Sequence, residues 1–128
     1  LRQPAPGEGS PTEGLCHLRE VDREVNVPRL RTILASPNPF IPGQDTDPWA
    51  LERAYQLQDC LEAQSDFLDA RLELLALLAA LSEADWERSA RHAIFGPTRL
   101  AELVNIIAGH DRLHVRQVLQ GLPTPVHD

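Results

Sequence analysis

At 128 residues and 14.3 kDa the chain has the length of one domain. Leu, Ile, Val and Phe fill 35 positions, enough apolar side chain to exclude disorder over most of it. Twelve arginines face nineteen acidic residues, a net charge of −7, so the positive excess that nucleic acid or an anionic membrane surface requires is missing.

Lysine is absent, which excludes Schiff-base chemistry. The longest apolar run, Leu74 to Leu81, is far short of the ~20 residues that cross a bilayer. No basic segment followed by an apolar stretch opens the sequence, so no secretory leader is expected and the cytoplasm is the expected compartment. Cys16 and Cys60 are too few and too far apart for a disulfide framework. They read as small buried side chains, with a reactive thiol at Cys16 as the alternative.

Glycine and proline fall unevenly along the chain, strand alternation is missing, and the expected class is all-α. Residues 1–10 read as a flexible lead. Ser10 as N-cap, Pro11 and Glu13 predict a helix from Pro11 to about Ala35, bent near Asn26 by Pro28. Its apolar stripe is Leu18, Val21 and Val25, with Gly14 leaving room at the top. Residues 36–48 carry four prolines and read as a loop that either borders a site or covers the core through Phe40 and Ile41.

Asp47-Pro48 predicts a second helix to about Leu81, roughly 50 Å long at 1.5 Å per residue and therefore kinked or briefly broken. Its expected face is Leu51, Tyr55, Gln58, Leu61 or Glu62, Ser65, Leu68, Leu72, Leu75 and Ala79. Ser82 and Asp85 form a capping pair for a short turn through Trp86. Gly96-Pro97-Thr98 is expected to start the last helix, which Gly121 and Pro123 end near Gln120. Residues 122–128 form a tail.

The last helix carries the most informative pattern. Leu100, Val104, Ile107 and Val118 define one stripe, and Asp111, His114, His110 and Gln117 replace its apolar character in the C-terminal half. An unpaired carboxylate in such a position is costly, so Asp111 needs a partner. His110 and His114, four residues apart, stack on one helical face and suit two ligands of one ion, although the spacing alone also fits a hydrogen-bonded core pair. A third ligand has three candidates. His17 lies beside the first stripe, where pairing with Glu20 or Glu24 is the plainer reading. His92 precedes the last helix and reads as a proton relay or a surface residue. His127 sits in the tail.

Several segments together resemble one family. Cys16-His17-Leu18-Arg19-Glu20-Val21-Asp22 is similar to the HL-acid-x-acid segment of the DinB/YfiT-like superfamily. His92 to Leu100 resembles its H-x-x-F-G-x-x-T-L entry to the final helix, and His110-Asp111-Arg112-Leu113-His114 with Gln117 resembles its HD-x-x-H-x-x-Q signature. Phe67 and Arg71 fit its F-x-x-x-R pattern.

The resemblance implies a four-helix bundle over residues 11–121, with a three-histidine metal site made by His17, His110 and His114 and with Asp111 and Gln117 nearby. Three neutral imidazoles leave a divalent ion an open position for water or a thiol. Asp111 or His92 then serves as proton acceptor or donor, or Asp111 orients a ligand ring. Imidazole ligands suit zinc, nickel, iron and copper and do not fix the metal; zinc or nickel is the expected ion. Relatives imply a hydrolase, or a transferase that joins a low-molecular-weight thiol co-substrate to a small-molecule electrophile. A non-catalytic ion that ties helices together is the alternative, and a plain helical domain without metal the third reading. The family's first helix precedes the HL segment, where this sequence has only the Pro/Gly-rich lead. An apolar side left open by that gap favours a homodimer.

Overall fold

The structure, a computed structural model, describes residues 10–121. The expected lead before Ser10, and the tail 122–128 with His127, lie outside the described residues. The chain is mostly helical, in the order α1 (Pro11–Val21), a π-helical turn (Asp22–Asn26), α2 (Val27–Ala35), β1 (Phe40–Ile41), α3 (Trp49–Glu52), a 3-10 turn (Tyr55–Leu57), α4 (Cys60–Ala79), α5 (Glu83–Trp86), β2 (Ser89–His92), β3 (Gly96–Arg99) and α6 (Leu100–Gly121).

The first helix starts as its sequence signals. Ser10 Oγ accepts from the Glu13 amide at 3.2 Å, and Glu13 Oε1 accepts from the Ser10 amide at 3.4 Å, a reciprocal cap followed by Pro11. Pro28 interrupts the ladder as expected, and the helix responds by widening rather than breaking. Val27 N–H donates to Asp22 O, a π-type bond that makes room where proline supplies no donor. Asp22 and Asn26 thereby turn inward, both buried.

The second long helix is broken more sharply than its sequence pattern suggests. Pro48 rather than Asp47 holds the N-cap position of α3, which ends after one turn. Ala54 then takes a left-handed conformation (φ 50°), and Asp59 caps a new helix by accepting from the Glu62 amide at 2.8 Å. The expected face is also displaced. Ala63, Ala70 and Leu74 are buried, whereas Leu61, Leu68, Leu72 and Leu75 are exposed. Leucines lie on several sides of α4, so apolar periodicity does not choose its inner face. The two small alanines do, because they admit the α1–π-turn segment, and so does Arg71, which reaches Asp22.

Two further expectations are corrected in the connecting segments. The stretch 36–48 contributes strand β1, with Ile41 in the core and Phe40 exposed beneath the Arg91 guanidinium. Residues 96–99, expected to open the last helix, form β3, so α6 begins at Leu100. The small sheet runs β1-β2-β3. Phe40 pairs with Arg91 and Ile41 with His92 in parallel, and β2 and β3 form a hairpin from Ser89↔Arg99 to His92↔Gly96. Gly96 at φ +70° makes the tight return. Ser82 and Asp85 cap α5 as the sequence indicates.

Helix α1 packs against both α4 and α6. One core cluster, around Leu30, Ile33, Ile41, Leu74, Leu100 and Leu103, joins the sheet to the helices. A second, around Cys16, Val21, Val25, Trp49, Tyr55 and Ala63, lies toward the other end of the α1–π-turn segment. Cys16 and Cys60 are free thiols, and burial pushes the Cys16 thiol up. That environment matches the plainer reading of Cys16 as a small core residue. Among the described residues no helix is long and apolar enough to cross a membrane.

Candidate metal centre

Helices α1 and α6 approach closely at Gly14. A Cβ there would lie 2.6 Å from Val118 Cγ2. The missing side chain lets one turn of α1 press on the last turns of α6. His17 stands three residues after Gly14, and His114 stands four before Val118. Their rings therefore meet at the same crossing, joined by His110 from the preceding turn of α6.

The three rings share one small volume. His17 Nε2 and His110 Nε2 are 3.4 Å apart. Ring centroids lie 4.3 Å apart for His17–His114 and for His110–His114, and 5.4 Å apart for His17–His110. One nitrogen of each ring falls within 4.8 Å of one nitrogen of each of the others, and all three rings are partly buried. Burial first, then the neighbouring His114 and His110, push the His17 imidazole down to about 4. Burial and His110 also lower His114, against the raising effects of Gln117 and Asp111. Neutral rings at pH 7 are what a cation requires. The separation fits too, since two nitrogens ~2.05 Å from a tetrahedral ion are about 3.3 Å apart. The donor set therefore matches a divalent metal ion.

Asp111 finds its partner in Arg71. Arg71 Nη2 reaches Asp111 Oδ2 at 2.8 Å and donates to Asp22 Oδ1 at 3.1 Å, while its Nε donates to Asp22 Oδ2 at 2.8 Å. Asn26 Nδ2 donates to the same Asp22 at 2.9 Å. One guanidinium thus ties the π-turn, α4 and α6 together just behind the histidines. The other Asp111 oxygen is buried without a hydrogen-bond partner among the described residues and lies 3.8 Å from His110 Nδ1.

His92 stands apart from the three rings, on β2 rather than in a loop. Its Nδ1 accepts from the Ile94 and Phe95 amides at 3.0 and 3.3 Å, and Nε2 is buried without a partner among the described residues. Burial and Arg29 lower its pKa. Its ring packs on Phe95, centroids 4.6 Å apart.

Two cavities flank the histidines. One of about 270 Å³ runs from His110 along Val25 and Ile107 to Phe95 and Arg29. The other, about 290 Å³, is polar and is bounded by His17, His114, Glu13, Thr46, Tyr55 and Gln117. The Tyr55 hydroxyl is buried with no partner among the described residues, and burial, with Glu20 adding to it, pushes it up to about 12. Sequence reasoning did not single out Tyr55, Thr46 or Arg29, and it reached Asp22 only as an acidic position of the HL-acid-x-acid segment. Tyr55 sat on an expected apolar face, and the Asp22–Asn26 pair becomes inward-facing only through the π-turn. Arg71 carried a signal in the need of Asp111 for a cation.

Fold and cluster together define a helical bundle with three histidines converging where two of its helices cross. The chain belongs to the DinB superfamily, whose family model matches residues 1–118. It is also similar in structure to YfiT from Bacillus subtilis, described as a probable metal-dependent hydrolase with an unusual four-helix bundle topology. That match has a TM-score of 0.75 and 16% identity, and it covers 85% of this chain and 62% of the YfiT chain. At that identity the likeness concerns the fold. No curated protein matches the sequence.

Proposed function

We propose that this protein is a divalent-metal-dependent hydrolase in which His17, His110 and His114 hold the ion, with zinc or nickel as the metal. The observation that carries this reading is the convergence of three ring nitrogens within 4.8 Å beside two cavities. A bound divalent cation supplies a Lewis acid and lowers the pKa of a water or thiol in its open position. The chain's own residues supply the rest. Asp111, fixed by Arg71, holds a carboxylate oxygen 3.8 Å from His110 Nδ1, beyond hydrogen-bond distance, and is a positioning residue through its charge. The apolar walls of the cavity beside His110 exclude water from a substrate's body. His92 supports that wall by carrying Phe95 on its ring.

The two cavities on either side of the histidines favour a second reading, transfer of a low-molecular-weight thiol to a small electrophile, because each cavity offers room for one reactant. A homodimer has support of its own. Leu61, Leu68, Leu72 and Leu75 form an exposed seam on α4 beside Glu62 and Asp69. The outer side of α6 exposes Val115 and Leu119 beside Arg112 and Arg116, a charge-complementary counterpart on a second copy.

Elemental analysis after growth with zinc or nickel tests the reading. One ion per chain is expected, and none in His114→Ala. Metal-loaded protein is then offered activated esters and amides, or an activated aryl halide with a small thiol. Ester or amide turnover that is lost in His114→Ala supports the hydrolase, and thiol consumption with halide release supports the transferase. A chain that takes up no transition metal would refute both.

A further inference from the structure

The cavity beside His110 holds an unusual charge. Arg19, Arg53 and Arg71 are, like Arg29, at least partly buried, and each ends on carboxylates: Arg19 on Glu20 and Asp66, Arg53 on Glu24 and Glu20, Arg71 on Asp22 and Asp111. Arg29 lines the cavity, is half-buried, and has no carboxylate within salt-bridge distance among the described residues. Its Nη2 donates to the Pro42 carbonyl at 2.9 Å, which occupies one of the five donors of the fork. Burial presses its pKa down. In a chain of net charge −7, with acidic groups to spare, this cation is left without a counter-ion in a pocket.

The remaining walls define what such a counter-ion would carry. Most of that wall is apolar, with Val21, Val25, Leu103, Ile107 and the Phe95 ring; Asn26, Gln44 and Thr46 add uncharged polar groups, and His110 stands on the same wall. The volume of about 270 Å³ suits a short-chain acid. A lone guanidinium matches one carboxylate in a two-point fork. We propose that this cavity is a carboxylate-recognition pocket. It takes a small organic acid whose carboxylate pairs with Arg29 and whose apolar body lies along Val21, Val25, Leu103 and Ile107 towards His110. Only the step from pocket to substrate site rests on the metal-enzyme reading above; binding of the acid does not.

The test uses the full chain freed of metal by a chelator, so that a carboxylate has no ion to ligate. Hexanoate and its neutral counterpart hexanamide are titrated and followed by backbone amide shifts in nuclear magnetic resonance. Hexanoate is expected to shift the amides of Val25, Arg29 and Ile107 and to bind about tenfold or more tightly than hexanamide. Arg29→Gln, which keeps a donor for the Pro42 carbonyl, should weaken hexanoate by about tenfold or more and leave hexanamide unchanged. Arg29→Lys should recover part of the loss, and Ile107→Trp, which fills the cavity and keeps Arg29, should abolish binding. Equal affinity for acid and amide, or an Arg29→Gln variant that is folded by its spectrum and binds hexanoate normally, overturns the proposal. The two readings fail separately. Hexanoate binding in a chain that takes up no metal leaves the pocket standing, and a chain that loads zinc but ignores hexanoate leaves the histidine site standing and removes the pocket.

Discussion

Replacing Arg71 by methionine removes one cation from between two carboxylates. The variant loses the 2.8 and 3.1 Å bonds to Asp22 and the 2.8 Å contact with Asp111. Asp22 is fully buried and keeps only the Asn26 amide, while Asp111, which already has one oxygen without a partner, has none left among the described residues. Breaking a buried ion pair from one side costs about 3–5 kcal/mol. The lower end applies here, because the Arg71 side chain retains 23% of its exposure and Asp111 13%, which admits some solvent. About 3 kcal/mol corresponds to a drop in Tm of roughly 10–15 °C for a domain of this length. Urea denaturation of the metal-free chain, followed by circular dichroism, measures it. Converting all three groups together, Asp22→Asn, Arg71→Met and Asp111→Asn, should recover most of the loss, because no charge then stays buried alone. A single variant within about 1 kcal/mol of the parent, or a triple variant no more stable than the single, would refute the assignment of Arg71 as the tie between helices.

Further outcomes follow from the same contacts. Gly14→Ala gains about 1 kcal/mol of helix propensity but sets a methyl against Val118, whose branched side chain has one favoured rotamer in a helix. A net loss of about 1–2 kcal/mol is expected, with weaker metal binding and recovery of both when Val118→Ala is added; additive single effects in a double-mutant cycle would contradict this. For the metal-free chain, His17 at about 4 lies below its ordinary value of ~6.5, so the unfolded state takes up the proton first. Stability should be independent of this group above pH ~6.5, fall as the pH drops towards about 4 and level off below; a His17→Gln variant with the same acid slope would refute that origin. If a second copy covers the α4 seam, Leu68→Glu with Leu72→Glu should convert a dimer to a monomer in sedimentation, and a parent that is already monomeric across the micromolar range would remove the homodimer.

The two ends of the chain differ in how far the sequence discloses them. His110, Asp111 and His114 interrupt a clear apolar stripe, and their departure from the period is itself the signal. His17 lacks such a signal, because one histidine beside a stripe fits an ordinary pair with Glu20 or Glu24 equally well. The family resemblance, not the spacing, singled it out. The break at Ala54 was hidden because alanine is a strong helix former, and only the Asp59–Glu62 cap marks the restart. The hairpin was hidden for a related reason. Its strands, Ser-Ala-Arg-His and Gly-Pro-Thr-Arg, contain one β-branched residue between them, and tertiary contact with β1 and the core selects their conformation.

The neighbouring positions His110 and Asp111 explain why an ion network sits behind the three-histidine cluster. On a helix, successive residues point about 100° apart, so α6 cannot aim both side chains at one object. It offers His110 and His114 to α1 and turns Asp111 towards α4, where Arg71 fixes it. Rotating α6 to improve one contact spoils the other. Arg71 holds Asp22 at the same time, and Asp22 lies five residues beyond His17 on the continuous α1–π-turn segment. Both helices that carry the histidines are therefore keyed to one guanidinium, which sets their relative rotation and height. Hydrophobic packing alone would tolerate small slips of α1 along α6, whereas a two-point fork on Asp22 and a third contact on Asp111 do not. The cost of burying these charges is thus offset by register, and the register is what brings nitrogens from residues 17, 110 and 114 within reach of a single ion.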